Sequence, residues 1–536
     1  MNIWLENSFK KIFKNVRSQA YNFIIPALWV TILIVHLFQL DSLPAGLYLD
    51  ETSIGYNAAL IAQSGKDEYG IDVPIYFKAF GEYKNPIYIY AAAIIFKFFG
   101  ISEFNLRFTS FLFYIFALFF TVLLTNRLFK QSKIIQVYSL MSLGFLPHYF
   151  VLSRISFEVI CYLTWISAAL FIVNITFSES QRSNVSGIEI VLGLIIGTSI
   201  YTYSIARLLC FLMLVSLWVA YYKRNHIRKL LIVTVFFGVS LIPYFIFTAT
   251  NPGAITLRFR SISYIYQPLP LIKKIIILFR NLISYWSPDF LITHGDANLR
   301  HSTGYGGVIF IITWLLFIVG IVAFITNKNF LFDRFNIFIL MNLFLSPLAA
   351  VLTSEGTPHA LRSFLLSYYI FLVSCYGLRF ILLSQGNYNK QIMLTCLLGA
   401  FAFEIAGYQL NYFISYPAKS IYAMGSFDFK ASLQTAINNS QTEVVFVNVP
   451  SSSYANLKFY SYLVKNPNQI PINMSDKPKP RLGNCLLYAY WAEQGIENVA
   501  DPFIEYKNTK QLNPLKRLLG VKPTEAIMKV RCYKKL

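Results

Sequence analysis

Residues 21–58 read YNFIIPALWVTILIVHLFQLDSLPAGLYLDETSIGYNA, a stretch that joins a long apolar run to two adjacent acids, Asp50 and Glu51. The run at 21–40 has the length of about 20 residues that an α-helix needs to cross a bilayer. Basic residues precede the run, namely Lys10, Lys11, Lys14 and Arg17. No small-residue cleavage site follows it, so we predict an uncleaved signal anchor whose basic N-terminus, residues 1–20, is cytoplasmic.

The composition of the whole chain favours lipid as its main solvent. Of the 536 residues, 56% are hydrophobic and only 13% are charged, whereas a soluble domain carries about 25% charged residues. The net charge of +21 is interpreted as Lys and Arg at the cytoplasmic ends of helices, because no nucleic-acid-binding module accompanies it. We therefore predict membrane lipids as partners and no nucleic acid. The Cys residues show no spacing that is typical of a zinc site.

Eleven stretches are predicted to span the membrane. They lie at 21–40, 107–126, 134–152, 157–177, 187–204, 206–222, 229–248, 306–326, 334–353, 362–383 and 391–410. Basic short loops such as 127–133 and 223–229 belong on the cytoplasmic side. Charge and helix count then agree only if the apolar stretch 86–100 does not cross, and we predict it as a helix in the outer interface. The loops 41–106 and 249–305 would face outside.

The tail of the chain, residues 411–536, is less apolar and is predicted as a small extracytoplasmic α/β domain. Its predicted elements are strands at 443–449, 484–491 and 525–532 and a helix at 454–465. Cys485 and Cys532 can form a disulfide only if this tail faces an oxidising compartment. No residue of the tail is predicted to be catalytic.

The first outer loop carries the strongest chemical signal of the chain. Asp50 and Glu51 follow the first span directly, and Lys84 lies later in the same loop, within Phe80–Tyr88. One interpretation is structural: Asp50 caps a helix, Glu51 complements the helix dipole, and Lys84 extends towards the headgroups. The other is functional, because charge is costly at a membrane and a cation at headgroup depth can bind phosphate.

The order of these motifs resembles a known group of enzymes. Asp50-Glu51 followed by Lys84-Asn85-Pro86-Ile87-Tyr88 is similar to the protein O-mannosyltransferases and the lipid A aminoarabinose transferases, which are GT-C glycosyltransferases. Asn85 replaces a Pro of that second motif. Further matching segments are Glu103–Arg107, Pro147–Arg154 with Glu158, Ser287–His301 and Pro358–Arg362. The resemblance covers about residues 20–410 and leaves the tail unmatched.

The resemblance implies both a fold and a reaction. The fold would be an all-α polytopic GT-C membrane domain at 21–410, with about 11 spans and juxtamembrane helices in the first outer loop, followed by the α/β tail. The reaction would be an inverting transfer of a monosaccharide from a polyprenyl-phosphate donor to a glycan, lipid or protein hydroxyl. It would take place at the extracytoplasmic face of the plasma (inner) membrane. No cofactor is required, although a divalent metal held by Asp50, Glu51 and a His stays an alternative.

The same resemblance, together with the predicted topology, suggests roles for individual residues. Asp50 would be the base, and Glu51 would position the acceptor or the base. Cations would neutralise the leaving phosphate, and the candidates are Lys84, Arg154, Arg300 and Arg362. Further substrate contacts are expected from Tyr56, Tyr83, Tyr88, Glu158, His294, His301 and His359. All of these are expected on the outer side.

Three other functions compete with this interpretation. A lipid-linked glycan polymerase or ligase would rely on Arg and His in a late loop, and residues 281–301 offer both, but the early Asp50-Glu51 pair argues against it. A transporter or flippase would need repeats and charges near the membrane centre, whereas the ionisable residues lie at predicted helix ends. A structural assembly protein with inert charges is the third alternative.

Overall fold

The computed structural model describes residues 2–178, 187–383, 387–426, 428–447, 453–475, 481–489, 503–507 and 528–533, with only the backbone for 2–19, 387–391 and 507. The elements up to residue 201 are α1 (Asn2–Leu37), α2 (Leu49–Ser64), β1 (Phe77–Ala79), β2 (Glu82–Lys84), α3 (Pro86–Phe99), α4 (Glu103–Leu128), α5 (Lys133–Phe145), α6 (Pro147–Leu152), α7 (Val159–Thr176) and α8 (Ile188–Thr198) with a 3-10 turn at Ser199–Tyr201.

The middle of the chain is also helical. Its elements are α9 (Ala206–Tyr221), α10 (Ile227–Ser240), α11 (Ile242–Thr250), α12 (Leu257–Ile262), α13 (Leu271–Trp286), a π-helical turn (Asp289–Thr293), α14 (Ile311–Thr326), α15 (Lys328–Leu331), α16 (Arg334–Leu345), α17 (Leu348–Val351), α18 (Phe364–Leu383) and α19 (Asn387–Leu410). The last elements are a π-helical turn (Asn411–Ser415), α20 (Tyr416–Met424), α21 (Phe429–Asn439), β3 (Val444–Val447), α22 (Tyr454–Tyr460), β4 (Ile472–Ser475), β5 (Cys485–Ala489), β6 (Phe503–Lys507) and β7 (Met528–Tyr533).

Eight helical segments within the described residues are long and apolar enough to cross a membrane, by length and composition. They are Ala20–Leu37, Glu103–Leu128, Val159–Thr176, Arg224–Thr250, Leu271–Thr293, Arg334–Val351, Phe364–Leu383 and Ile392–Met424. The protein is therefore a multi-pass membrane protein with a helical membrane domain. Seven of the eleven predicted spans coincide with one of these eight segments.

The other four predicted spans are also helical, but three are shorter than a full span and one is interrupted. Three of them are shorter apolar helices, Ile188–Tyr201, Ala206–Tyr221 and Ile311–Thr326. The predicted span 134–152 is divided at Leu146 into α5 and α6, because Pro147 has no N–H and its ring prevents α5 from continuing. Conversely, Leu271–Thr293 is helical and apolar, although we predicted it as part of an outer loop.

Glycines bring two of the membrane helices close together. A Cβ atom at Gly377 of α18 would overlap the carbonyl oxygen of Leu316 in α14, and one at Gly320 of α14 would overlap that of Val373 in α18. Small residues of this kind allow backbones to approach in a bilayer, where helix association depends on van der Waals packing. Helices α14 and α18 thus pack in close contact, and the loops that precede them start from the same helix pair.

The first loop folds into a helix, a hairpin and a second helix. In the hairpin, Ala79 of β1 pairs with Glu82 of β2 and Phe77 pairs with Lys84. The two turn residues, Phe80 and Gly81, both have positive φ angles, 54° and 78°, as a two-residue hairpin turn of type I′ requires. This turn fixes Lys84 at the end of β2, directly before α3. Helix α3 corresponds to the interfacial helix predicted at 86–100.

The tail contains a five-stranded sheet in the order β4-β3-β5-β7-β6. Strands β4, β3 and β5 are parallel, whereas β5, β7 and β6 are antiparallel. Strands β3, β5 and β7 and helix α22 were predicted, and β4 and β6 were not. The described side chains of β4 and β6 are exposed or half-buried, whereas those of β3 and β5 are all buried. A disulfide joins Cys485 of β5 to Cys532 of β7.

The tail packs on the first loop through α22. Phe459 of α22 lies against Gly55 of α2, where an added Cβ would come within 2.6 Å of the Phe459 ring. Thr52 of α2 also donates a hydrogen bond to Asn456 Oδ1 at 2.8 Å. Helix α2 carries Asp50 in its first turn, so these contacts hold the segment that presents this carboxylate.

Candidate active site

A cavity of about 370 Å³ lies at one end of the helical domain, where loops distant in sequence meet. The segments around its walls are the first loop, the turn before α7, the start of α9, the segment 254–262, the loop before α14 and the loop before α18. The cavity is lined by charge of both signs. Its ionisable lining residues include Asp50, Glu82, Lys84, Glu158, Arg207, Arg258, Asp296, Arg300, His301, Glu355, His359 and Arg362.

Asp50 and Lys84 form an ion pair on the wall of this cavity. Lys84 Nζ donates to Asp50 Oδ1 at 2.7 Å, and the side chain of Lys84 is 8% exposed while that of Asp50 is 38% exposed. Burial raises the pKa of Asp50, but the Lys84 ammonium and the more distant Arg300 and Arg258 lower it by more, so the pKa lies below its usual range. Burial lowers the pKa of Lys84, but the negative charges of Asp50 and Glu158 raise it by more, so the pKa of Lys84 lies above its usual range. Both groups are therefore charged at neutral pH.

Glu158 binds the residue that follows Lys84. Its carboxylate accepts the backbone N–H of Asn85 at 3.0 Å and the side-chain amide of Asn85 at 2.8 Å. Asn85 Oδ1 in turn accepts from Arg207 Nη2 at 3.2 Å. Burial raises the pKa of Glu158 to about 7, although Lys84 and the hydrogen bonds from Asn85 oppose the shift. Glu158 is thus a cavity carboxyl that titrates near neutral pH.

Arginines also line the cavity. Arg258 and Arg362 share one acceptor, because each lies 3.0 Å from Glu355 Oε2. Arg300 lies over the ring of Tyr48 at 4.2 Å from the ring centroid, and its Nε donates to Asn298 Oδ1 at 3.0 Å. These contacts leave further N–H groups of the guanidinium forks for an anion.

Asp296, His301 and His359 form a third group on the cavity wall. Asp296 Oδ2 lies 3.0 Å from His301 Nδ1 and 3.8 Å from His359 Nδ1. The two imidazole rings stack with centroids 4.8 Å apart. Burial lowers the pKa of His301, and burial together with neighbouring positive charge lowers the pKa of His359 to about 3. Burial raises the pKa of Asp296, but its contacts with His301 and with backbone amides lower this pKa by more, so it lies below its usual range.

Most of the predicted site residues line this one cavity. Those that do are Asp50, Tyr83, Lys84, Glu158, Arg300, His301, His359 and Arg362. The structure thus brings together residues from widely separated loops that were expected only to share a side of the membrane.

Glu51 does not line the cavity. Its side chain is fully buried and accepts from Arg107 Nε at 3.1 Å, from the backbone N–H of Ser156 at 2.9 Å and from that of Tyr48 at 2.9 Å. These bonds fix the loop ahead of α2 to the start of α4 and to the turn before α7. The predicted role of Glu51 in positioning the acceptor or the base stays a prediction, and its observed contacts are with Arg107, Ser156 and Tyr48.

Arg154 is also absent from the cavity lining. Its guanidinium is buried and donates to backbone carbonyls at the end of the first span, among them Val35 at 3.0 Å and Phe38 at 2.7 Å. It also donates to the hydroxyl of Tyr412 at 3.1 Å. The guanidinium thus satisfies open carbonyl groups at the end of α1 and ties this end to the bundle, outside the cavity in which its predicted contact with the donor phosphate would be made.

Three further predicted contacts lie elsewhere. Tyr88 is buried and donates to the Leu106 carbonyl at 2.8 Å, Tyr56 packs beside Tyr462, and His294 is exposed and paired with Asp289 at 2.5 Å. Conversely, sequence reasoning missed Arg207, Arg258 and Tyr48 as lining residues. Arg207 lies at the start of the predicted span 206–222, where a basic residue is also typical of an interfacial anchor. Arg258 lies in the predicted outer loop 249–305, in a part of it that has no recognisable motif.

One group of three residues in the described part of the chain has the composition of a metal site. The ligand atoms of Asp296, His301 and His359 all lie within 4.8 Å of one another. The alternative set of Asp50, Glu51 and a His is not assembled, because Glu51 is turned away from the cavity and bonded to Arg107.

Comparison of the sequence with protein-family models and with curated proteins finds no match. Solved structures match in fold. The crystal structure of ArnT from Cupriavidus metallidurans in the apo state is similar over 89% of this chain and 94% of that chain, with a TM-score of 0.56 and 11% sequence identity. The same enzyme bound to undecaprenyl phosphate gives 88% and 94% coverage, a TM-score of 0.54 and 10% identity.

A third solved structure is the archaeal oligosaccharyltransferase AglB from Archaeoglobus fulgidus in complex with an inhibitory peptide and a dolichol-phosphate. It is similar over 88% of this chain and 70% of that chain, with a TM-score of 0.45 and 13% identity. The two ArnT structures match this chain over 88% and 89% of its length. The fold expected from the motifs is therefore confirmed: the chain has the GT-C fold, an all-α membrane domain followed by a small α/β region.

Proposed function

We propose that this protein is a membrane glycosyltransferase that moves a monosaccharide from a polyprenyl-phosphate donor to an acceptor hydroxyl, with Asp50 as the base. The observation that carries the proposal is the ion pair of Asp50 with Lys84 in a cavity that is also lined by Arg207, Arg258, Arg300 and Arg362. The fold that the chain shares with ArnT, solved with undecaprenyl phosphate, supports this class of donor.

The cations suit a phosphate that gains charge as the sugar leaves. Lys84 offers a largely buried ammonium on the cavity wall, and Arg300 and Arg362 offer planar forks from two other loops. Charge-assisted hydrogen bonds of this kind are about twice as strong as neutral ones. They stabilise the transition state more than the ground state only if they strengthen as charge develops on the phosphate oxygen.

Asp50 is suited to take the proton of the acceptor. The acceptor oxygen would attack the anomeric carbon while the bond from that carbon to the phosphate oxygen breaks, and the hydroxyl proton would pass to Asp50. In the free protein Lys84 keeps the pKa of Asp50 low. A bound phosphate would share the Lys84 ammonium, so the pKa of Asp50 would rise towards the range in which a carboxylate is an effective base.

We also propose that the cavity faces the extracytoplasmic side of the plasma membrane. The basic loop 223–229 lies where α7 and α9 end, because His226 contacts the rings of Phe177 and Tyr221. Arg127, at the basic loop 127–133, donates to Asn174 near the same end of α7, whereas α7 begins beside Glu158 of the cavity. An excess of Lys and Arg marks cytoplasmic loops. The disulfide between Cys485 and Cys532 supports the same side for the tail, since disulfides persist in oxidising compartments.

The proposal is tested with the purified full chain in detergent or proteoliposomes. A set of polyprenyl-phosphate monosaccharides, carrying hexoses or pentoses, is incubated with candidate glycan, lipid and protein acceptors. Release of polyprenyl phosphate together with a glycosylated product is the expected result. Turnover of nucleotide sugars but of no lipid-linked sugar would contradict it. Mass spectrometry of glycolipids and glycoproteins from a deletion strain would identify the missing sugar and its acceptor.

A further inference from the structure

A small cradle on the cavity wall, made by Asp296, His301 and His359, is not used by the transfer mechanism. Its residues come from two loops, one before α14 and one before α18. Asp296 Oδ2 accepts the backbone N–H of Ala360 at 2.8 Å, which docks the second loop on the first. The hydroxyl of Tyr285 accepts the backbone N–H of His359 at 3.2 Å. Both loops are thus fixed in place, and the cradle is preorganised.

The two imidazoles turn the same ring atom towards one carboxylate oxygen. His301 Nδ1 lies 3.0 Å from Asp296 Oδ2, and His359 Nδ1 lies 3.8 Å from it. The second distance is too long for a hydrogen bond, and His359 Nδ1 is buried with no hydrogen-bond partner among the described residues. A buried ring nitrogen without a partner is costly, and a ligand between these three atoms would remove that cost.

The spacing of the three donor atoms fits a metal ion. Bonds of about 2.0–2.2 Å from zinc to imidazole nitrogen or carboxylate oxygen place neighbouring donors roughly 3 to 3.5 Å apart at the angles of a tetrahedron or octahedron. The donors here lie within 4.8 Å of one another, two pairs of them at 3.0 and 3.8 Å. The widest pair, at up to 4.8 Å, comes into this range if His359 shifts by about 1.3 Å. All three residues line the cavity, so the open positions face it.

The chemistry of the donors selects the kind of metal. Two imidazole nitrogens and one carboxylate suit a borderline divalent transition metal, whereas magnesium and calcium prefer sites made of oxygen alone. Arg300 and Arg362 are the nearby cations that could repel an ion. Of these two, Arg362 is paired with Glu355 at 3.0 Å. Its charge is therefore balanced within the cavity wall.

We propose that Asp296, His301 and His359 form a binding site for a zinc-type divalent transition metal, with open coordination positions towards the cavity. This inference goes beyond the proposed glycosyl transfer, because binding of the metal ion can be measured without a sugar donor or an acceptor. A chain that transfers sugar but binds no metal would overturn only this inference. A chain that binds metal but transfers no sugar would overturn only the proposed function.

The test uses the full chain in detergent, stripped of metal with a chelator. Zinc binding is followed by calorimetry and cobalt binding by visible absorption, which reports nitrogen ligands directly. We expect one ion per chain, no comparable binding of magnesium, and a rise in the melting temperature on addition of zinc. His359→Ala should weaken zinc and cobalt binding at least tenfold and abolish the rise in melting temperature.

His359→Ala is the informative variant, because Nδ1 makes no hydrogen bond that the folded protein would lose. The matched control is His294→Ala, since His294 pairs with Asp289 on an exposed part of the same loop and lacks a second imidazole. It should leave zinc affinity unchanged. Metal affinity that is absent in the wild-type chain, equal in His359→Ala, or lost in His294→Ala would overturn the proposal.

Discussion

The ammonium of Lys84 lies 2.7 Å from a carboxylate oxygen of Asp50, although the two residues are 34 positions apart in the chain. The hairpin of β1 and β2 brings Lys84 to the first turn of α2, where Asp50 lies. Each residue sets the charge of the other: Lys84 keeps Asp50 ionised, and Asp50 keeps Lys84 protonated in a buried position. The proposed base and the proposed phosphate-binding residue are thus coupled before any substrate binds.

Replacement of Lys84 should affect both donor binding and the pH profile. We expect Lys84→Ala to raise the Kd for polyprenyl phosphate by about 10- to 100-fold, because a hydrogen bond to a charged group contributes roughly 1.5–3 kcal/mol. Since Lys84 lowers the pKa of Asp50, its removal should also move the acid limb of kcat/KM to higher pH. An unchanged Kd together with an unchanged acid limb would contradict the assigned role.

Glu158 should make donor use depend on pH near neutrality. Its pKa is raised to about 7, so it is neutral below that pH and anionic above it. An added negative charge beside Lys84 opposes phosphate binding, so kcat/KM for the donor should fall as pH rises through about 7. Glu158→Gln cannot ionise and should remove this fall. A wild-type profile that is flat between pH 6 and 8 would contradict the prediction.

Asn85 and Arg207 should act as one unit. Asn85→Ala removes the amide oxygen that accepts from Arg207 at 3.2 Å, and we expect KM for the donor to increase by roughly 2- to 10-fold, as a single hydrogen bond allows. Arg207→Ala should increase it by at least as much. The double variant should resemble Arg207→Ala rather than the product of the two effects. Fully additive effects would show that Asn85 does not work through Arg207.

Glu51 should be needed for folding rather than for the reaction step. Glu51 and Arg107 form a pair with both side chains fully buried, and loss of one partner of such a pair costs about 3–5 kcal/mol. We expect Glu51→Gln to lower the melting temperature strongly in detergent. The fraction that stays folded should keep the donor affinity of the wild-type chain. A normal melting temperature with abolished transfer would instead favour a catalytic role.

The membrane architecture could be predicted from sequence because it depends on local composition. Apolar length is a property of single segments, so most of the membrane helices could be predicted from the sequence. The outer position of Asp50 and Lys84 rests on loop charge and stays a prediction. Whether a charged residue reaches the cavity depends on the neighbours of its loop instead. Arg154 and Arg300 look alike in sequence, but Arg154 meets the open carbonyls at the end of α1 while Arg300 meets the ring of Tyr48.

The same dependence on neighbouring segments explains why the sequence did not reveal the burial of Glu51 or the cavity positions of Arg207 and Arg258. Asp50 and Glu51 are adjacent in one helical turn, so they point in different directions. Which of the two is buried depends on tertiary partners, here Arg107 and the backbone N–H of Ser156. Arg207 and Arg258 reach the cavity from helix ends that carry no motif. Such placements follow from tertiary packing, which a single sequence does not reveal.

The central claim, that Asp50 is the base of a glycosyl transfer, is tested most directly by Asp50→Asn in a reconstituted transfer assay. We expect kcat to fall at least about 100-fold, since general-base catalysis contributes roughly 10²–10⁴. The melting temperature should be unchanged, and polyprenyl phosphate should bind at least as tightly because Lys84 loses a competing anion. Asp289→Asn, at an exposed carboxylate outside the cavity, is the control and should keep full activity. Transfer by Asp50→Asn at a rate near that of the wild-type chain would contradict the account.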